Sequence, residues 1–115
     1  MGRQPDLIRG ANMVRVLQQA DDAVDQVAGV LSEFQKSHES SDCTVYRYNP
    51  ASIRVRIVDP VFQGRSKGER HDYAMRFLRS LPEDVLAQIS ILLCLEPGET
   101  SLLDLEFSDP SRSQV

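Results

Sequence analysis

The sharpest pattern along the chain is the strict alternation over Ser52 to Asp59. Ile53, Val55 and Ile57 point one way, and Arg54 and Arg56 point the other. A period of two belongs to an extended strand, and this version of it belongs to a sheet with one buried and one wet face. Cys43 to Tyr48 reads as the strand before it, joined through the tight turn Asn49-Pro50-Ala51. Ile89 to Leu95 is a third strand, with Ile89, Ile91, Leu93 and Leu95 alternating with Ser90, Leu92 and Cys94. After the turn Pro97-Gly98-Glu99-Thr100, Leu103, Leu105 and Phe107 alternate with Asp104 and Glu106. This predicts a final strand pairing back antiparallel.

The remaining periods are helical. Met13, Leu17, Ala20, Val24, Val27, Leu31 and Phe34 alternate spacings of four and three, which predicts one long helix over residues 11–37. Such a helix spans on the order of 40 Å, while the strands of a small sheet run only about 17–20 Å. The excess predicts a bend near Gly29 or a second copy paired along the helix, so a homodimer through 11–37 is one reading. Ser66-Lys67-Gly68-Glu69 fits a capping box and opens a helix to about Arg79, with Ala74, Phe77, Leu78 and Leu81 as its apolar stripe. Ser80-Leu81-Pro82-Glu83 fits a second box and a short helix to about Gln88. The predicted order is therefore α-β-β-α-α-β-β: an α+β domain over residues 11–108 with helices on one face of a mixed four-stranded sheet. A right-handed crossover makes the second and third strands parallel. Residues 1–10 and 109–115 read as flexible polar tails.

Composition adds limits. At 41% hydrophobic and 26% charged residues, the chain has the make-up of a folded domain and not of a disordered one. The net charge of −4 disfavours general affinity for polyanions. The charge is uneven, however: Arg54, Arg56, Arg65, Lys67, Arg70, Arg76 and Arg79 crowd the middle of the chain. Cys43 and Cys94 are too few for a disulfide framework and read as buried free thiols. The first residues have no apolar run of a secretory signal, and no stretch approaches the roughly 18 apolar residues of a membrane span, so the expected location is cytoplasmic.

The most distinctive stretch is Phe62-Gln63-Gly64-Arg65-Ser66-Lys67-Gly68-Glu69-Arg70-His71, directly after a strand ending in Val58-Asp59. It resembles the BolA family, whose pattern there is an aromatic, one residue, Gly, a small polar residue and an Arg-His pair opening a helix. Ile89 to Pro97 is similar to that family's third strand and the Pro after it, so the likeness covers roughly residues 40–97. The resemblance implies a core akin to the second type of KH fold. It also implies a non-enzymatic adaptor for a protein partner such as a monothiol glutaredoxin. In that role the chain binds no cofactor alone, and His71 helps hold a shared [2Fe–2S] cluster. The docking residues expected on this reading are Phe62, Gly64, Arg65, Ser66, Lys67, Arg70 and His71. The chain departs from the family in the loop between its first two strands: where the family offers a Cys or His, this chain has only Asn49-Pro50-Ala51.

An alternative is nucleic-acid binding, with Arg54 and Arg56 beside Tyr46 on an open sheet face, joined by Arg65 and Lys67. The same residues fit cross-strand pairs on a solvated face equally well. Gly64 and Gly68 do not make a KH-type GxxG loop, because three residues separate them and both precede the helix or open it. The sequence has no CxxC, HExxH or GxSxG motif. Glu69 and His71, two apart on a helix, do not face each other. No enzyme is expected.

Overall fold

The alternation in the central strand decides the architecture. In a computed structural model, described here for residues 13–17 and 20–101, the chain runs β1 (Arg15–Leu17), α1 (Asp22–Ser37), β2 (Asp42–Asn49), β3 (Ser52–Val58), a 3-10 turn (Pro60–Phe62), α2 (Lys67–Leu78), α3 (Glu83–Leu86) and β4 (Ile89–Leu95). The sheet order is β1-β2-β3-β4. The β2–β3 hairpin is antiparallel, whereas β1 runs parallel to β2 and β4 parallel to β3. The fold is α+β with a mixed four-stranded sheet. Ile53, Val55 and Ile57 are buried, and with Cys43 and Val45 of β2 they form the sheet side of the core. The helices supply the other side through Val24, Val27, Leu31 and Phe34 of α1 and Ala74 and Leu78 of α2, with Leu81 and Val85 nearby. No described helix is long and apolar enough to cross a membrane.

The first helix is shorter than its heptad spacing predicts. It starts at Asp22, and residues 15–17 form β1 instead. Two local facts explain the change. Asp21 is a strong stop, because its Oδ1 accepts the Val24 amide at 3.0 Å and fixes it as the N-cap. Ahead of it, Val14 and Val16 alternate with Met13, Arg15 and Leu17; both valines pack on the core, and Met13 stands 61% exposed. A period of two was hidden under the period of three and four. At 16 residues α1 is about 24 Å long, and its apolar stripe is spent on its own sheet. The excess length that suggested a second copy is absent. The fourth strand found is thus β1 at the start. The strand expected over Leu103 to Phe107 lies outside the described residues, as do both expected tails.

The second capping box also fails. α3 is capped by Pro82 with no side-chain bond, and the Ser80 hydroxyl donates to the Phe77 carbonyl at 3.0 Å. Ser80 closes the end of α2 and does not open α3.

The Asp21 cap is also an ion pair. Arg47 of β2 donates from Nε to Asp21 Oδ2 at 2.8 Å and from its other arm to Oδ1 at 3.1 Å. The same guanidinium reaches the Pro50 carbonyl of the hairpin turn and Gln88 ahead of β4. One cation therefore fixes the start of α1, the hairpin and the entry to β4. The Arg47 hydrogen bond, followed by the Val24 amide, holds the Asp21 carboxyl down at about 2 against an ordinary 3.8. A depressed folded-state pKa gives stability that is complete above the unfolded value and is lost as the acid protonates. The expected acid limb of unfolding therefore falls between pH 3.8 and about 2, and Asp21→Asn should flatten that limb while lowering stability at pH 7. Urea titrations at a series of pH values test this. An unchanged acid limb in the variant contradicts it.

Candidate functional site

β3 ends at Val58, and the chain leaves the sheet through Asp59, whose Oδ1 accepts the Val61 amide at 2.7 Å and caps the 3-10 turn. Phe62 then drops into the core and is fully buried. Gly64 takes a left-handed conformation, φ 78°, which a residue with a Cβ adopts only under strain. The reversal there brings Ser66 to the N-cap of α2. The predicted box is present in both directions: the Glu69 amide donates to Ser66 Oγ at 3.2 Å, and the Ser66 amide donates to Glu69 Oε1 at 2.8 Å. These contacts hold the Glu69 carboxyl below its usual range. The strip from 62 to 71 is therefore a surface link from a sheet strand to a capped helix.

Arg70 is the internal anchor of that link. It is buried at 8% exposure. Its Nε donates to the Arg65 carbonyl at 3.0 Å, and one arm donates to the Cys94 carbonyl of β4 at 3.1 Å and to Glu99 Oε1 at 2.7 Å. Glu96 lies 3.8 Å from the other arm. Glu99 belongs to the turn after β4, where its amide donates to the Glu96 carbonyl and Gly98 takes φ 87°. The Glu96 amide, and then Arg70, hold the Glu99 carboxyl below its usual range.

Four of the seven expected docking residues are exposed: Gly64, Ser66, Lys67 and His71. Arg65 is half-buried. Phe62 and Arg70 are corrected. Phe62 has no surface left to offer a partner, and the Arg70 guanidinium is spent on α2, β4 and the turn behind it. Both shape the surface from inside.

The outer side of the link carries a cleft of about 420 Å3 lined by Gly64, Arg65, Glu69, Asp72, Tyr73 and Arg76. The Arg65 guanidinium lies 4.6 Å from the centre of the Tyr73 ring, and that of Arg76 lies 5.4 Å from it. Tyr73 is itself fixed. Its hydroxyl is 2.7 Å from His38 Nε2, and His38 Nδ1 is 2.8 Å from the Phe34 carbonyl. A carbonyl only accepts, so Nδ1 donates to it, and Nε2 is left to pair with the Tyr73 hydroxyl. His38 stacks on Phe34 at 3.9 Å between ring centres, and Phe77 meets both rings edge-on. The cleft floor is thus bolted to the end of α1. A larger depression over α3, lined by Glu83, Asp84, Leu86 and Ala87, draws on one short helix and gathers no opposed groups.

Tyr73, Arg76 and His38 were missed as site residues. Tyr73 and Arg76 stand three apart on α2 and so share a face, a signal that was present in the sequence. The pairing of His38 with Tyr73, 35 positions apart, had no local signature.

The alternative nucleic-acid surface does not assemble. Arg54, Arg56 and Tyr46 lie on the sheet face opposite the helices, whereas Arg65 and Lys67 lie at the head of α2 on the helix side. Tyr46 is buried at 5% exposure, so its ring has no face free for a base. Arg54 lies 3.5 Å over the Tyr48 ring and bonds Tyr46 Oη, and Arg56 bonds Thr44 and approaches Asp42. These are cross-strand pairs.

His71 is exposed and is the one expected cluster ligand. Its own chain does not surround it with a ligand set that would hold a cluster without a partner. No three described His, Cys, Asp or Glu residues converge as a metal set. Burial pushes the thiol of Cys43 up to about 11 and that of Cys94 to about 12, away from the thiolate a cluster needs. Cys43 and Cys94 are both free, and Ile57 stands between them in the register of three adjacent strands. His38 is committed to Phe34 and Tyr73. Comparison with known proteins gives no matching family model, no matching curated protein and no matching solved structure.

Removal of the anchor gives the test of this geometry. Arg70→Ala leaves Glu99 and the Cys94 carbonyl without their cation, and the expected loss of stability is about 2–4 kcal/mol by urea denaturation. A loss under about 0.5 kcal/mol, the scale of an ordinary surface change, contradicts the anchoring role.

Proposed function

We propose that this domain is a non-enzymatic adaptor of BolA-like type that docks a protein partner on the link after β3 and on the outer face of α2. The observation that carries the reading is the contrast within one strip. Phe62 and Arg70 hold it from inside, while Ser66, Lys67 and His71 stand exposed on it. A surface held rigid before binding loses little conformational freedom on association. The core order α-β-β-α-α-β, from α1 to β4, agrees with the order that the BolA resemblance implies, with β1 added at the edge of the sheet.

The reading needs no cluster. The chain offers a single exposed His toward one, and a partner would have to bring every other ligand. Nor does it need catalysis, since the cleft carboxylates and His71 form no acid–base pair: Glu69 is the helix cap, and the His71 side chain makes no hydrogen bond to a described residue.

A photoreactive residue placed at position 71 or at position 48 of the full chain, in the native cell, tests the docking face. Tyr48 is 53% exposed and lies on the sheet hairpin, away from α2. The expected result is a discrete crosslinked adduct from position 71 and none from position 48. No adduct at 71, or adducts only at 48, overturns the proposal.

A further inference from the structure

The cleft along α2 holds an unusual arrangement of charge. Arg65 and Arg76 both lie against the Tyr73 ring, and neither guanidinium closes an ion pair or hydrogen bond with a described residue. They remain unpaired although two carboxylates, Glu69 and Asp72, line the same cleft. Elsewhere the half-buried Arg47 holds Asp21 and the buried Arg70 holds Glu99, whereas Arg65 is half-buried and Arg76 exposed. Glu69 is turned to the Ser66 amide, so its charge serves the start of the helix. Two planar forks, each with five N–H donors, therefore face one cavity with their hydrogen bonds unspent.

We infer that this cleft receives a phosphorylated side chain, phosphoserine or phosphothreonine, carried by the protein partner. The inference rests on the docking reading above and names the chemistry of its ligand. A phosphate monoester carries nearly two negative charges at neutral pH and three acceptor oxygens, enough to engage two guanidinium forks at once. A carboxylate engages one fork well, and neither carboxylate of the cleft pairs with these two arginines. The volume, about 420 Å3, suits one such side chain with its flanking residues. A polynucleotide fits less well. The chain carries a net −4, and the arginines of the sheet face lie on the other side of the molecule, paired across strands.

The test is a titration of the isotope-labelled full chain with a short alanine-based peptide bearing one phosphoserine, followed by NMR at the Arg65 and Arg76 side-chain resonances and the Tyr73 ring. Parallel arms use the same peptide with Ser, the same peptide with Glu, inorganic phosphate, and a short single-stranded oligonucleotide. The expected result is saturable shifts at those three residues with the phosphopeptide. Affinity should be at least tenfold weaker for the Ser and Glu peptides and for inorganic phosphate. The double variant Arg65→Gln, Arg76→Gln should lose tenfold or more, while Lys36→Gln, which carries its charge on α1, should stay within about twofold. Thermal melts of each variant separate lost binding from lost folding; if the double variant unfolds, each single variant is read instead. Equal response to the Ser peptide or no response overturns the inference, as does inorganic phosphate binding as tightly as the peptide. Tighter, steeply salt-dependent binding of the oligonucleotide also overturns it and gives the cleft to nucleic acid. If the phosphopeptide fails while the crosslink at position 71 still forms, the ligand chemistry alone is wrong. If both fail, the docking face is wrong.

Discussion

The arrangement of the candidate site depends on one buried cation. Arg70 points inward from the first turn of α2 and ties the loop carbonyl of Arg65, five residues back, to the end of β4 at Cys94 and to Glu99 in the turn that follows. A buried guanidinium is costly to desolvate, and only near-complete pairing makes the position tolerable. The same pairing determines where α2 begins relative to the sheet, and so where Ser66, Lys67 and His71 stand. Arg47 plays the corresponding part at the opposite end, joining the start of α1 to the hairpin and to Gln88. Between the two, the apolar stripe of α1 and the inward row of β3 supply the bulk of the burial.

The helix layer contributes a second kind of order. Phe34, His38, Tyr73 and Phe77 form an aromatic cluster in which His38 is stacked and hydrogen-bonded through both ring nitrogens. That cluster fixes the Tyr73 ring, and the ring positions Arg65 and Arg76. The cleft is therefore preorganised by packing that begins in α1, while its cations remain unpaired. His71, which carried the family likeness, is exposed on α2 but does not line this cleft.

What was legible in the sequence follows the range of each physical signal. The strands 52–58 and 89–95 and the capped start of α2 are set by alternation and by a reciprocal cap, both of which act within a few residues. The long first helix misled because Val14 and Val16 satisfy a strand period while Met13 and Leu17 continue a helical one; the Asp21 cap, reinforced by Arg47 from 26 positions away, decides between them. Part of the site was visible as a motif, but its inner and outer members were not distinguishable: Phe62 and Arg70 looked the same on paper as Lys67 and His71. Arg70 differs only because Glu96 and Glu99 come back to meet it, and that is a property of the crossover and not of the motif. The Arg54–Arg56 surface looked open for the same reason, since Tyr46, Tyr48 and Thr44 become its partners only once β2 pairs with β3.

The most direct measurement is amide hydrogen exchange of the full chain, read by mass spectrometry, free and in the complex recovered from the native cell. The account predicts added protection in peptides covering residues 63–76 and unchanged exchange across the β2–β3 hairpin. Protection that appears on the hairpin and leaves 63–76 as in the free chain would contradict it.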